Sequence, residues 1–235
     1  MRTSSRFLFL LLILCCAFSS LQAKKAKRKP KPPAPAPCAD GTAYRHCPAC
    51  GTAKRESVRD LNVEKNRDEA VTSPEEITVA EIRKASNNKK FSPLRQVSVT
   101  ALVASVVSGG NQESCNCGRD DLRDIHINIV AKASEVGDLS KYVVVEFTPR
   151  WEKNFGLDDS DYQKMLRAVR KDIAGKRVKF DGWMLYDSMH ENASRTTMPN
   201  QPACPDDGKQ HPKCNWRATP WEVHPVTKYT VVTAP

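Results

Sequence analysis

The first 37 residues contain no aspartate or glutamate, although the whole chain has 27 acidic residues. Eight of the 37 lysine and arginine residues lie in that stretch, so the rest of the chain carries 29 basic and 27 acidic residues. The formal charge of +10 is therefore concentrated near the N-terminus, and the remainder is close to neutral. This distribution argues against a broad electrostatic surface for DNA or RNA on the folded part.

Long hydrophobic runs are also lacking. The apolar run Phe7–Phe18 has 12 residues, whereas a transmembrane helix needs about 20. Two arginines precede the run, so residues 1–23 are typical of a secretory signal peptide. A lipid on Cys15 or Cys16 and an uncleaved membrane anchor are the alternatives. The pattern predicts export, to the periplasm or out of the cell.

Glycine is scarce, with 10 residues against 16 prolines. Residues 24–37, KKAKRKPKPPAPAP, combine repelling positive charges with prolines that favour an extended polyproline II chain. We interpret them as a basic Pro-rich linker without packed structure. It serves as a spacer, or residues 24–31 contact an anionic lipid surface or envelope polymer.

Seven cysteines follow the signal segment, an odd number that leaves one free or paired between chains. Cys115 and Cys117 are too close in sequence to pair easily with each other. Either can pair with a cysteine of the group Cys38, Cys47 and Cys50. A zinc site of Cys47, Cys50, Cys115 and Cys117 is the alternative, but disulfides are more common in exported proteins. A Cys204–Cys214 disulfide is expected, with a metal knuckle including His211 as the alternative.

Residues 38–95 form a less regular, cysteine-bearing segment that we expect to act as a lid or brace. Ser73-Pro-Glu-Glu76 has the residues of a helix start, with serine as the cap, proline first and glutamate three residues after the cap. The sequence therefore predicts a short helix over Pro74–Ala85.

Residues 96–235 have the element order of an OB-like barrel, a five-stranded Greek-key structure with one helix between the third and fourth strands. The predicted strands are Gln96–Gly109, Asp124–Ile129, Tyr142–Pro149, Lys176–Tyr186 and Trp221–Val232. The predicted helix is Asp159–Ala174, because apolar residues recur there at helical spacing. The fold class is thus mainly β.

Strict alternation in the second strand separates its two faces. Ile125, Ile127 and Ile129 are expected to point into the core, and His126 with its polar neighbours outward. By the same rule Glu146 points outward from the third strand. OB-folds bind ligands on the outer face of these two strands, so His126 and Glu146 are expected to share a ligand-binding face.

Polar and aromatic residues near this face are the expected site. The ligand-binding residues predicted are Asp124, His126, Glu146, Asp187, Trp216, Arg217, Trp221 and Glu222. Three histidines, His126, His190 and His224, each have a carboxylate nearby in sequence and could hold one transition metal such as zinc. The structural alternative is that these groups hydrogen-bond to one another across the barrel mouth.

The motifs ESCNC, DIHINI, GWMLYDSMH and NWRATPWEVHPVT, with VVVEFTPR between them, resemble a family of uncharacterised exported bacterial proteins. The resemblance covers about Val97–Thr227. It implies an OB-like barrel and no particular activity. The paired arginines and clustered aspartates of staphylococcal-type nucleases, which also use such a barrel, are not found.

The sequence therefore predicts an exported binding protein of the cell envelope. Its ligand would be an envelope polymer or an oligonucleotide, of which the charge distribution disfavours the nucleic acid. The alternative function is a metal-dependent hydrolase with its histidine and carboxylate site at the barrel mouth.

Overall fold

The computed structural model of the chain describes residues 43–157, 161–207, 211 and 213–233. The predicted signal peptide, linker and Cys38 lie outside these ranges. Within them the strands are β1 (Ala43–Tyr44), β2 (Cys47–Pro48), β3 (Glu75–Ile77), β4 (Gln96–Ser108), β5 (Ile125–Val130), β6 (Val143–Phe147), β7 (Arg177–Tyr186) and β8 (Trp221–Val231). The α-helices are α1 (Glu56–Lys65), α2 (Val79–Arg83), α3 (Pro149–Glu152) and α4 (Tyr162–Ile173). None of these helices has the length and apolar character needed to cross a bilayer.

Five strands close into a barrel in the order β4, β5, β6, β8, β7, and β7 pairs again with β4. Neighbouring barrel strands are antiparallel except for β6 and β8, which are parallel. With α4 between the third and fourth barrel strands, this is the connectivity of an OB-like Greek-key barrel. The predicted fold class is confirmed. The sequence pattern did not predict β3, which pairs in parallel with β4 outside the ring.

The barrel interior is filled by the predicted inward positions. Ile125, Ile127 and Ile129 of β5 are fully buried in the hydrophobic core, together with Val145 and Phe147 of β6. Each such side chain contributes about 1.5–3 kcal/mol relative to leaving it exposed. Because side chains alternate along a strand, this packing fixes which residues of β5 and β6 face away from the core.

The long strand β4 supplies two sides of the barrel. Its first half, Gln96–Leu102, pairs with β7, and its second half, from Leu102 onward, pairs with β5. The register shifts between Val103 and Ser105. A bulge of this kind bends a strand, and the residue between these two positions is Ala104.

Helix α4 matches its prediction closely. The Asp161 side chain accepts a hydrogen bond from the Lys164 backbone N–H and caps the first turn. Met165, Leu166, Val169 and Ile173 are buried along one face. The first two residues of the predicted helix, 159 and 160, lie outside the described residues.

The predicted helix over Pro74–Ala85 is wrong in its first part. Glu75–Ile77 is instead strand β3, paired with Val97–Val99 of β4. A second capping box, Thr78 with Glu81, begins the helix at Val79: the Thr78 side chain accepts from Glu81 N, and the Glu81 side chain accepts from Thr78 N. Pairing with β4 buries Ile77, and this burial favours the strand over helical continuation.

The segment before the barrel packs into the same core. Val79, Ile82 and Ala85 are buried among the side chains of the barrel strands. Arg83 of α2 also donates two hydrogen bonds to Glu135, which follows β5, at 2.8 and 3.0 Å. Residues 43–95 therefore brace the barrel through both apolar and charged contacts.

Two disulfides join pairs of cysteines within the described ranges, Cys47–Cys117 and Cys204–Cys214. The predicted Cys204–Cys214 pair is confirmed, so the metal knuckle with His211 is wrong. Cys50 is also disulfide-bonded, and a zinc site of four thiolates is excluded because three of its sulfurs are oxidised. Cys115 is the free cysteine of the described residues, and it is buried.

The Arg83–Glu135 pair generates a pH prediction. The hydrogen bond from Arg83 lowers the pKa of Glu135 to about 2, whereas an unfolded chain has a glutamate pKa of about 4.3. The folded state therefore binds the proton less tightly, and the stabilisation is fully present above about pH 4.3. It is lost as the pH falls through about 2.

We expect Arg83→Met to lower the free energy of unfolding by about 1 kcal/mol at pH 7. The difference from wild type should shrink between pH 4 and pH 2 in urea titrations, because Glu135 becomes protonated. Lys84→Met, which removes the exposed cation one residue later, is the matched control and should show neither effect. An Arg83→Met deficit that is independent of pH would contradict the ion pair.

Candidate functional site

A row of polar side chains crosses the outer face of three adjacent barrel strands. His126 of β5 is the registered partner of Glu146 of β6, and Glu222 of β8 lies opposite Val144 of β6. Two residues beyond Glu222, His224 therefore projects from the same face beside Glu146. The strand alternation that fills the barrel with apolar side chains thus gathers these four residues on its other side.

Glu146 is the centre of the row. Its Oε1 lies 3.2 Å from His126 Nε2, and its Oε2 lies 3.0 Å from His224 Nδ1. Glu222 Oε1 is also 3.0 Å from the same Nδ1. A single N–H cannot serve both carboxylates fully, so one acceptor beside His224 is left without a hydrogen bond. That acceptor is Glu146 Oε2.

Arg217 fixes the far end of the row. Its Nη2 donates to Glu222 Oε2 at 2.7 Å, and its Nε donates to the Thr219 carbonyl. Both Arg217 and Glu222 are fully buried. The guanidinium therefore orients Glu222 so that its other oxygen, Oε1, meets His224.

A second branch runs through Asp187, at the end of β7. Asp187 Oδ2 accepts from Lys65 Nζ at 2.8 Å and lies 2.8 Å from His190 Nδ1. Asp187 Oδ1 accepts from the Met189 backbone N–H. Lys65, at the end of α1, is 7% exposed and Asp187 is fully buried, so the brace inserts its ammonium group into the site.

A third group surrounds Asp124, the residue before β5. The sulfur of the free Cys115 lies 4.0 Å from Asp124 Oδ2 and 3.6 Å from Glu113 Oε2. Glu113 Oε1 accepts from the Gly110 N–H at 2.7 Å and is 3.8 Å from His126 Nε2. Asp124 Oδ1 has no hydrogen-bond partner and is buried.

Burial and neighbouring charges shift the pKa values of these groups in opposite directions. Burial alone would raise the pKa of Glu146 and Asp187, but the nearby histidines and Lys65 outweigh it and lower both. Burial and then the Glu113 charge raise the pKa of Asp124 well above its usual value. Burial and Asp124 do the same to the Cys115 thiol.

The cations of the network respond to the surrounding carboxylates. Burial would lower the pKa of His224, but the adjacent charge of Glu146, together with the hydrogen bond to Glu222, raises it to about 10. Burial likewise opposes charge on Lys65, and Asp187 with the other carboxylates raises its pKa well above the usual value. The network therefore attracts positive charge strongly.

An open cleft of about 820 Å³ lies beside this network. Its walls come from the end of β4, the loop between β4 and β5, and the long loop between β7 and β8. The polar and aromatic residues that line it include Glu113, His126, His190, Asn192, His211, Lys213 and Trp216. The Cys204–Cys214 disulfide lies in the same wall, so a covalent bond helps to shape it.

Trp216 is the aromatic surface of the cleft. It is half-buried, and the His190 ring meets it edge-on with 5.2 Å between ring centroids. The Arg217 guanidinium lies 5.2 Å from the indole centroid. These contacts hold the indole in place while part of it stays accessible.

The structure separates the predicted ligand-binding residues into two sets. His126 and Trp216 line the cleft. The other predicted residues are at most 1% exposed: Asp124, Glu146, Asp187, Arg217, Trp221 and Glu222. Trp221 is a core residue that packs against Phe91 and Tyr186. The outward direction predicted for Glu146 is correct, but the brace and loops cover that face.

The three predicted metal-binding histidines do not form one cluster. His126 and His224 lie on either side of Glu146, whereas His190 belongs to the Asp187 branch. Over the described ranges, two groups could hold an ion, one of Asp124, Glu146 and His224 and one of Glu113, Cys115 and Asp124. Only His224 is shared with the predicted histidine set.

Sequence reasoning missed Lys65, Glu113 and the role of Cys115. Lys65 lies 122 positions before its partner Asp187, and no local pattern distinguishes it from other lysines. For Glu113 and Cys115 a signal existed, because both belong to the short ESCNC run before the polar strand β5.

The fold and site together define an OB-like barrel protein with a buried charge network beside an open cleft. No protein-family model matches the chain, and no curated protein matches its sequence. The function is therefore argued from the geometry.

The Lys65–Asp187 pair generates a stability prediction. Removing one partner of a buried ion pair leaves an uncompensated charge, which costs about 3–5 kcal/mol. We expect Lys65→Met and Asp187→Asn each to lower the free energy of unfolding by about 3 kcal/mol. The double variant should lose at least about 1 kcal/mol less than the sum, measured by urea denaturation.

Lys179→Met is the matched control, because the Lys179–Glu76 bond is exposed. We expect that substitution to leave the free energy of unfolding nearly unchanged, because solvent screens an exposed ion pair. Strict additivity of the Lys65 and Asp187 substitutions would show that the two groups do not stabilise each other.

Proposed function

We propose that the chain is an exported cell-envelope protein whose cleft binds a hydroxyl-rich envelope polymer. The observation that carries the proposal is the position of the cleft on the barrel. It lies between the loop joining the first two barrel strands and the loop joining the last two, where OB-folds bind oligosaccharides and oligonucleotides. This is an inference from fold and site together.

The lining of the cleft favours a glycan-like polymer over a nucleic acid. Grooves that bind single-stranded nucleic acid are positively charged and neutralise many phosphates. This cleft has one lysine, Lys213, and one carboxylate, Glu113, among its lining residues. Half-exposed Trp216 offers a stacking face, while Asn192 and the imidazoles offer hydrogen-bond donors and acceptors.

Export rests on two independent observations. The N-terminal residues have the order of a signal peptide. The folded part contains disulfides, which persist in oxidising compartments and are rare in the cytosol. The basic linker then supplies distance from the membrane, or a contact with its anionic surface, so that the cleft reaches the polymer.

In the binding test, residues 24–235 are titrated with soluble peptidoglycan fragments as the probe, and calorimetry measures the Kd. Since a stacked aromatic contributes on the order of 1–3 kcal/mol, Trp216→Ala should raise the Kd at least about fivefold. Trp216→Phe keeps an aromatic face and should retain most of the affinity.

A single-stranded oligonucleotide of similar length is the comparison probe in the same experiment. Tighter binding of the oligonucleotide than of the glycan fragments would overturn the choice of ligand. Equal affinities for wild type and Trp216→Ala would remove the cleft from the binding site.

Hydrolysis of the bound polymer, with a metal-activated water, is the second function that we propose. The specific observation is His190, which lines the cleft with its Nδ1 2.8 Å from buried Asp187. When Nδ1–H is donated to a carboxylate, Nε2 is left with a lone pair and can act as a general base. A metal-bound water is acidic enough to be the nucleophile near neutral pH.

Incubation of the same fragments with added zinc, followed by size-exclusion chromatography, tests this second function. Shortened products that disappear in His190→Ala, while fragment binding persists, would support hydrolysis. Unchanged fragments after incubation with the wild-type protein would leave binding as the function of the cleft.

A further inference from the structure

Three buried side chains converge beneath the cleft with atoms suited to metal binding. Asp124, Glu146 and His224 each offer one ligand atom, and these atoms all lie within 4.8 Å of one another. A second group, Glu113 and Cys115 with the same Asp124, meets the same criterion. The two groups share a carboxylate, so oxygen, nitrogen and sulfur donors surround one small region.

Each residue of the first group contains a buried atom without a hydrogen bond. These atoms are Asp124 Oδ1, Glu146 Oε2 and His224 Nε2. The three residues are at most 1% exposed. Leaving a buried polar atom unpaired is unfavourable, and such atoms are rare in folded proteins. The residues that form the cluster are therefore also residues with buried atoms that lack a partner, and a bound cation could accept such lone pairs.

The charge of the network also suits a divalent cation that takes the place of protons. Its fully or almost fully buried members include four carboxylates, on Asp124, Glu146, Asp187 and Glu222, and two permanent cations, on Lys65 and Arg217. With Asp124 ionised and His224 neutral, as metal ligands must be, these carboxylates and cations carry a net charge of −2, which one divalent ion would balance. Buried charges without partners are strongly unfavourable, and Lys65 is already hydrogen-bonded to Asp187.

His224 is oriented as metal-binding histidines are. Its Nδ1 lies 3.0 Å from Glu222 Oε1, and Arg217 holds the other oxygen of Glu222. A carboxylate on one ring nitrogen fixes the tautomer and leaves the other nitrogen as the ligand. A proton on Nε2 would instead be an N–H without an acceptor in a fully buried position.

We propose that Asp124, Glu146 and His224 bind one divalent transition-metal ion beneath the cleft, with Cys115 or Glu113 supplying a further ligand. The mixture of imidazole, carboxylate and thiolate favours a borderline-soft ion, for which zinc is the best match. The site is distinct from the cleft surface of His190 and Trp216, and the polymer-binding proposal does not depend on it.

The first test is the metal content of residues 24–235, purified without a polyhistidine tag and dialysed after addition of zinc. Elemental analysis should find one ion per wild-type chain. The nearly isosteric variants Asp124→Asn and His224→Gln should lose it. His190→Gln and His211→Gln, which replace cleft histidines outside the group, are the matched controls and should keep it.

Circular dichroism of each variant shows whether a variant that has lost the metal is still folded. If a ligand variant does not fold, the wild-type protein still tests the proposal. A chelator should lower the melting temperature of the wild type, and added zinc should restore it. A wild-type chain without bound zinc and without this shift overturns the proposal. Metal retained in both folded ligand variants, or lost in His190→Gln, overturns it as well.

Cobalt substitution tests the sulfur ligand. A thiolate bound to cobalt(II) gives an ultraviolet charge-transfer band that carboxylate and imidazole ligands do not give. We expect this band in wild type and its loss in Cys115→Ser, with cobalt still bound. A cobalt-loaded wild-type protein without the band would assign the further ligand to Glu113, and a protein that takes up no cobalt or zinc would contradict the site.

Discussion

The burial of charge on the outer face of the barrel is the constraint on which the rest of the structure depends. Alternation places Glu146 and His224 away from the apolar core, where an OB-like barrel would normally meet solvent. Here that face is covered, so every carboxylate on it requires a cation or a donor. The brace with Lys65 and the loop with Arg217 supply them, which explains why the barrel needs both additions.

Coverage of this face also places the open site. Lys65 of the brace lies within reach of the charges of Glu146 and Glu222, and the open cleft of about 820 Å³ lies toward the two loops beside His126 and Trp216. The Cys47–Cys117 disulfide joins the brace to the first of these loops, and Cys204–Cys214 stiffens the second. The cleft is thus bounded by segments that are covalently restrained.

The barrel could be predicted because its signals are local. The alternation through Ile125–Ile129 and the helical spacing of Met165 and Val169 each reflect one element and its core face. A lid or brace is expected from the sequence, but the contacts that bury the outer face, such as Lys65–Asp187 across 122 residues, could not be predicted. For the same reason Glu146 has the predicted direction but not the expected exposure.

His126 and His190 each have one side in the cleft and a buried carboxylate as partner, Glu146 and Asp187 respectively. The imidazole rings of His126 and His190 would therefore lie between a ligand bound in the cleft and a cation bound in the network. Thermodynamic reciprocity then requires that any change in network affinity caused by the ligand be matched by an equal change in ligand affinity caused by the cation. The cleft and the network thus lie on one barrel face and meet at these two imidazoles.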